Sequence, residues 1–279
     1  MTTERSPAAL VYRRASARFG PLREALARAD FRAVSPPDAL AEWELLDGAG
    51  TRVRIGAGFV LVEAGEWPEA ERFDARFRAA FPSERDVPDG GDPPVRVALI
   101  AGSDESGKAE CDRALSVAAV AMPVALEEEA LARGVRDSKH CAAAEIAGLS
   151  RWIASVCAHE VRSIEPDARA EALRSHGGNE SRLLAALHAE CLRALHARME
   201  FPLARVDRFA PSRPVAAALA ATHEAVLVDE CARAERHASA AAASILARAR
   251  SLDPTAFRTV PGRCQAPPWR TRHLPGTST

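Results

Sequence analysis

Short apolar runs punctuated by glycine and proline alternate along this chain with longer stretches whose apolar positions recur every three or four residues. The first kind reads as buried strands and the second as amphipathic helices. Val97 to Ala101 is an apolar run closed by Gly102, and Leu115 to Met122 is another closed by Pro123, with a charged loop between them. Val95 to Pro123 therefore reads as strand, acidic loop, strand. Upstream, Leu22 to Phe31 has helical spacing, and Trp43, Leu45, Val53, Ile55, Phe59 and Leu61 alternate across three short strands divided by glycine-containing turns. Pro68 opens another helix, with Phe73, Phe77 and Ala80 on one face. Downstream, helices are expected near His140 to His159, Glu180 to Met199, Pro214 to His223 and Ala238 to Arg250. Strands are expected at Val161 to Ile164, Leu203 to Phe209 and Ala225 to Val228. Such alternation is the mark of an α/β domain.

With 279 residues the chain has room for two domains. A segment rich in Asp, Pro and Gly at 83–94 reads as a linker between a small α+β block at 1–82 and the α/β domain at 95–252, and 253–279 reads as an irregular tail. The formal net charge of -1 provides no global basic field, so a nucleic-acid partner would need a local arginine surface. Arg52 and Arg54 alternate with Val53 and Ile55; a solvated strand face is the simpler reading, a phosphate-facing surface the other. The six cysteines are scattered without a C-x-x-C pair, which suits reduced thiols in the cytoplasm. Cys157 and His159 fall in an expected helix, where packing is a commoner role than zinc. No apolar run is long enough for a membrane span.

Chemistry concentrates at the strand ends. Adjacent carboxylates at Asp104 and Glu105 are costly unless a cation neutralises them, which points to a hard metal ion. Asp207, bracketed by apolar Val206 and Phe209, would be an expensive isolated charge unless its strand lies beside the first hairpin and shares that metal. Gly102 to Lys108 imitates a phosphate-binding loop, but Ala109 stands where a Ser or Thr is needed and a strand is expected where a helix should follow. Of the 37 Lys and Arg residues only Lys108 and Lys139 are lysines, a compact ammonium each, beside the acidic loop and in Asp137-Ser138-Lys139. Asp137 reads as a helix cap, and His188 and His196 as core-edge or polar contacts.

The string G-S-D-E-S-G-K at 102–108, followed by L-S-V-A-A-V, resembles the first motif of the type 2 ribonucleases H and is most similar to the ribonuclease HIII branch. Asp137-Ser-Lys139, the helix from Asn179 to His188, Val206-Asp207-Arg208-Phe209 and H-A-S-A-A-A-A-S-I-L-A-R at 237–248 resemble that family's later motifs in order and approximate spacing. The resemblance implies a ribonuclease H-like mixed sheet flanked by helices, preceded by a TATA-binding-protein-like substrate domain. It also implies a monomeric enzyme that hydrolyses the RNA strand of RNA/DNA hybrids, with two Mg2+ or Mn2+ ions held by Asp104, Glu105, Asp207 and Glu235, leaving 5′-phosphate and 3′-hydroxyl ends. Ser106, Gly107, Lys108, Ala109 and Lys139 would contact substrate.

Two departures bear on that reading. The family places its fourth carboxylate ten residues before the Ser of the alanine-rich helix, which here is Ala234, so Glu235 serves only if one residue is deleted nearby. The family's G-K-G or G-R-G triplet ends here in Ala109, and Glu110 and Asp112 add charge that would repel phosphate. A catalytically weakened relative that binds nucleic acid or a partner protein is the alternative.

Overall fold

A computed structural model describes residues 8–13, 31–33, 41–48, 50–56, 59–64, 72, 95–220 and 226–257. The expected helices near 22–30 and after Pro68, the linker at 83–94 and most of the tail lie outside the described residues. The chain divides into two units, Met1–Leu99 and Ile100–Thr279. No helix among the described residues is long and apolar enough to cross a membrane.

The first unit carries a sheet of six strands: β1 (Ala8–Arg13), β2 (Arg32–Ala33), β3 (Ala41–Leu46), β4 (Arg52–Gly56), β5 (Phe59–Ala64) and β6 (Val95–Val97), in the order β2-β3-β4-β5-β1-β6. The expected meander is β3 to β5, paired antiparallel with Leu45 opposite Val53 and Val53 opposite Val62. In the last strand Val60, Val62 and Ala64 are buried. Phe59-Val-Leu-Val is apolar throughout, so periodicity cannot choose its inward face; pairing does, because a one-residue slip turns every side chain over. β1 was not anticipated, and β6 pairs with β1.

The second unit is an α/β layer structure. Its sheet holds β7 (Leu99–Ser106), β8 (Leu115–Pro123), β9 (Ala158–Ile164), β10 (Leu203–Asp207) and β11 (Leu227–Cys231), in the order β11-β10-β7-β8-β9. β10 runs parallel to both β7 and β11, and β8 is antiparallel to β9, so the sheet is mixed. The helices are α1 (Glu127–Ala132), α2 (Ala143–Val156), α3 (Arg169–Ser175), α4 (Glu180–His196), α5 (Pro214–Ala220) and α6 (Ala238–Leu252). α6, α2 and α1 build the core on one side with Ala118, Val120 and Met122 of β8; α4 packs against β8 and β9.

Three expectations change. Gly102 does not end its strand: β7 continues to Ser106 and carries both acids. Its glycine serves packing instead, since a Cβ there would stand 2.1 Å from the Ser239 carbonyl carbon of α6. The helix expected to reach His159 stops at Val156, and β9 begins at Ala158. Cys157 is buried, with its thiol pushed up to about 12 by desolvation, and burial lowers His159, which sits on the Cys157 carbonyl. These are packing roles. Finally, β11 starts later than expected and takes Asp229 and Glu230 into the sheet.

α6 explains its own composition. Residues Ala238 to Ala243 are buried without exception, and only small side chains let a helix lie that close to a sheet backbone. Gly102→Ala is expected to destabilise the protein by about 3 kcal/mol or more, because backbone atoms of α6 occupy the added methyl's place. Thermal unfolding measures it; a near-neutral change would mean that the contact is looser than described.

Candidate metal and phosphodiester site

Strand register assembles the acids. Val206 of β10 stands opposite Ser103 of β7, so the next residue along each parallel strand is an aspartate, Asp207 beside Asp104. Strand alternation puts Gly102 and Asp104 on the face that α6 covers and Ser103 and Glu105 on the face of α4.

On the α6 face, Asp104 accepts the Glu105 amide at 2.8 Å and is hydrogen-bonded to Ser244 of α6. Ser244 lies 2.8 Å from the Ser138 hydroxyl, so the Asp137-Ser-Lys139 segment supports the acid from behind. Burial pushes the Asp104 carboxyl well above its ordinary value, with the charge of Glu105 and, more weakly, of Asp207 adding to it. Asp207 accepts the Ala234 amide at 3.2 Å.

On the α4 face, Glu105 Oε2 lies 3.3 Å from Nε2 of fully buried His188. The other ring nitrogen is 2.7 Å from Ser103 Oγ, whose hydroxyl donates to the Ala118 carbonyl at 2.8 Å. With its hydrogen so engaged, Ser103 can only accept from Nδ1, and the ring turns Nε2 to Glu105. Burial alone would raise Glu105. The hydrogen bond and charge of His188, together with Lys108 and Lys139, outweigh it and hold the carboxyl below its ordinary value. Phe209 stacks on His188 with centroids 5.7 Å apart, and Lys108 Nζ sits 5.6 Å from the Phe209 ring. Both lysines of the chain thus bear on one carboxylate.

Asp104 and Asp207 are brought side by side, with Glu105 next along β7 on its other face; Ser106 ends β7, and Gly107, Lys108 and Ala109 follow in the turn between β7 and β8. Lys139 is exposed in the middle of the turn Ser138–His140, which Asp137 caps through the Lys139 amide at 3.0 Å. Glu235 lies in the turn Ala234–Arg236, one residue beyond the Ala234 amide that Asp207 accepts. Among the described residues, no group of three or more His, Cys, Asp or Glu converges into a metal-holding arrangement. Each acid is held instead by a nearby protein donor. The donors nevertheless suit a divalent cation: hard carboxylate oxygens at adjoining strand ends, one of them raised by burial and its neighbours' charge.

Asp229 and Glu230 are buried in the strand, Asp229 in register with buried Arg205 and Glu230 accepting the Ala216 amide at 2.7 Å. The loop charge also differs from expectation. Glu110 is taken by Arg248 through both oxygens at 2.9 and 2.8 Å, and by Arg113 at 3.6 Å, so its charge is offset; Asp112 is exposed.

His188 makes the polar contact expected of it, to Glu105 and Ser103, whereas Ser244, expected only as a small packing residue, reaches Asp104. The available signal was their place: His188 interrupts the apolar stripe of Leu184, Cys191 and Leu195, and Ser244 an otherwise alanine face, and a buried polar group needs a partner.

A family model for ribonuclease HII matches residues 101–256. A curated ribonuclease HIII from Protochlamydia amoebophila (strain UWE25) is 32% identical over 152 residues, which cover 54% of this chain and 50% of that protein. The chain therefore spans about half the length of this relative. Among solved structures it is similar to Aquifex aeolicus RNase H3 at 19% identity, with a TM-score of 0.47 over 87% of this chain and 84% of that one. It is also similar to Bst-RNase HIII in complex with Mn2+ at 21% identity, with a TM-score of 0.49 over 88% and 80%.

An acid raised by folding favours the folded state while it is protonated, and that contribution is lost as pH rises from its unfolded value through its folded one. Asp104→Asn in the metal-free protein is expected to raise Tm by several degrees at pH 7, and the gap should narrow as pH falls toward about 4, the ordinary aspartate value. Melting curves across pH test this; a variant no more stable than wild type at pH 7 would show that Asp104 is not repelled.

Proposed function

This chain belongs to the ribonuclease HII family, and from that premise we propose that it is a divergent type 2 ribonuclease H, most like the HIII branch, that hydrolyses the RNA strand of RNA/DNA hybrids. The carrying observation is Asp104 beside Asp207 on parallel neighbouring strands, with Glu105 following on β7. That triad supplies oxygen ligands on a rigid sheet, which suits chemistry at a phosphate.

Asp104, Glu105 and Asp207 would hold Mg2+ or Mn2+, with Glu235 as the fourth ligand. Two such ions would supply an activated water and charge stabilisation at the leaving 3′ oxygen, so that the products carry 5′-phosphate and 3′-hydroxyl ends. The chain's own groups have separate tasks. Ser244 and the Glu105 amide orient Asp104, the Ala234 amide orients Asp207, and His188 keeps Glu105 ionised and turned inward. Lys108, settled on Phe209, and Lys139 bring positive charge to the side where a phosphate would lie. Ser106, Gly107 and Ala109 would meet the substrate strand through their backbone, since two of them have little or no side chain to intervene. The unit at 1–82 would be the TATA-binding-protein-like substrate domain, the segment 83–94 its linker and 95–252 the catalytic domain, working as a monomer.

Ala234 favours a second reading. It occupies the place of the family's fourth carboxylate, and its amide is what Asp207 contacts. If Glu235 cannot substitute, the protein is a weakened relative that binds hybrids without cutting them.

Incubating a labelled RNA/DNA hybrid with Mg2+ or Mn2+ separates the readings. Wild type should cleave, and Asp104→Asn, Glu105→Gln and Asp207→Asn should each lose about 100-fold or more in kcat. Hybrid binding by wild type without metal-dependent cleavage would replace the first reading with the second. Glu235→Gln should lose activity comparably if it is a ligand; unchanged activity would remove it from the site. Added Mn2+ should raise the Tm of wild type and not that of Asp104→Asn.

A further inference from the structure

The turn between β7 and β8 is gripped from two sides. Arg169, at the start of α3 and some sixty residues along the chain, donates to the carbonyl oxygens of Gly107 at 2.9 Å, Glu110 at 3.1 Å and Lys108. The same guanidinium meets Glu180, the first residue of α4, at 3.2 Å. From α6, Arg248 takes Glu110 through both carboxylate oxygens. Gly107 adopts φ +86, and a Cβ there would meet the Ala114 carbonyl oxygen at 2.2 Å, so the turn also closes tightly at its base.

A planar trans peptide points its N–H opposite to its C=O. With the Gly107 and Lys108 carbonyls drawn to Arg169, the amides of Lys108 and Ala109 must point away from it. Both residues are exposed, and among the described residues neither amide has an acceptor. Arg169 therefore joins the Glu110 amide, which donates to the Gly107 carbonyl at 3.2 Å, in deciding which way two consecutive peptide donors face, and among the described residues it alone holds the Lys108 carbonyl. It also sets where the chain carries Lys108, whose ammonium rests on Phe209 and whose charge reaches Glu105.

We propose that Arg169 is a positioning residue for the reaction: its guanidinium fixes the 107–110 turn so that the Lys108 and Ala109 amides and the Lys108 ammonium face the substrate strand. It acts through the turn, without touching substrate. This inference rests on the ribonuclease H reading above for what the turn contacts, but not for how the turn is held. Arginine is required because one planar fork must serve three carbonyls and a carboxylate; a lysine ammonium keeps the charge and cannot span them. Once the fork is gone the Gly107 carbonyl keeps only the Glu110 amide and the Lys108 carbonyl loses the partner it has among the described residues, so the 108–109 peptide can flip.

The test compares wild type with Arg169→Lys and Arg169→Ala. Hydrogen exchange of the Glu110 and Arg113 amides, which are bonded within the turn, should quicken by about tenfold or more in both variants, while α6 and the strands keep their protection. With an RNA/DNA hybrid, KM should rise about tenfold while kcat changes by about twofold or less, the signature of lost substrate grip and not of lost chemistry. Guanidinium chloride at low, non-denaturing concentration should partly restore the KM of Arg169→Ala. Unchanged exchange at Glu110 and Arg113 for Arg169→Lys, or a fall in kcat with KM unaltered, would overturn the proposal. Should wild type prove unable to cut hybrids, the functional reading fails by itself; exchange and hybrid binding by fluorescence anisotropy would still decide the role of Arg169, and equal exchange and affinity in wild type and Arg169→Lys would refute it. Arg169→Lys serves in both arms if Arg169→Ala does not fold.

Discussion

Everything at the site depends on how closely α6 can lie on β7. The helix backbone stands where a side chain at residue 102 would be, so that position must be glycine and the helix must present alanine and serine to the sheet. One consequence is energetic, a dry interface packed without gaps between small groups. The other is positional. Ser244, six residues into α6, arrives at Asp104, two residues beyond Gly102 on the same strand face. A helix held off by even one larger side chain would leave that carboxylate without its hydroxyl partner.

The two faces of β7 then treat its neighbouring acids in opposite ways. Asp104, half-buried beside other carboxylates, is pushed up, while Glu105, on the face of α4, meets His188 and the fields of two lysines and is pulled down. Two adjacent residues of like chemistry thus acquire different proton affinities because strand geometry sends them to different environments. His188 is itself fixed by Ser103 of β7, whose hydroxyl donates to the Ala118 carbonyl of β8, so the polarity of that face is organised from the sheet outward.

The turn after Lys108 shows how this chain accommodates its departures from the family pattern. Ala109 and Glu110 replace residues expected to be smaller or neutral, yet Glu110 is matched by Arg248 and the turn's carbonyls by Arg169. The Glu110 carboxylate is therefore balanced by Arg248 of α6 and by Arg113 within the loop, while Arg169 of α3 holds the backbone. The arginine-rich composition, uninformative as net charge, has a specific use here.

Much of the layout is legible in the amino-acid sequence because it is local. Alternating apolar runs and helical stripes mark β8, β10, α2, α4 and α6, since burial of one face imposes its own period. Asp104, Glu105 and Asp207 are conspicuous because charges beside apolar strand residues need compensation. The inward face of Phe59 to Ala64, the continuation of β7 through Gly102 and the break between α2 and β9 were decided by pairing and packing with distant segments, which no local period encodes. The same holds for His188 under Glu105, Ser244 on Asp104 and Arg169 on the turn. Each joins residues from about sixty to one hundred and forty positions apart, and only the folded sheet brings them within hydrogen-bonding distance.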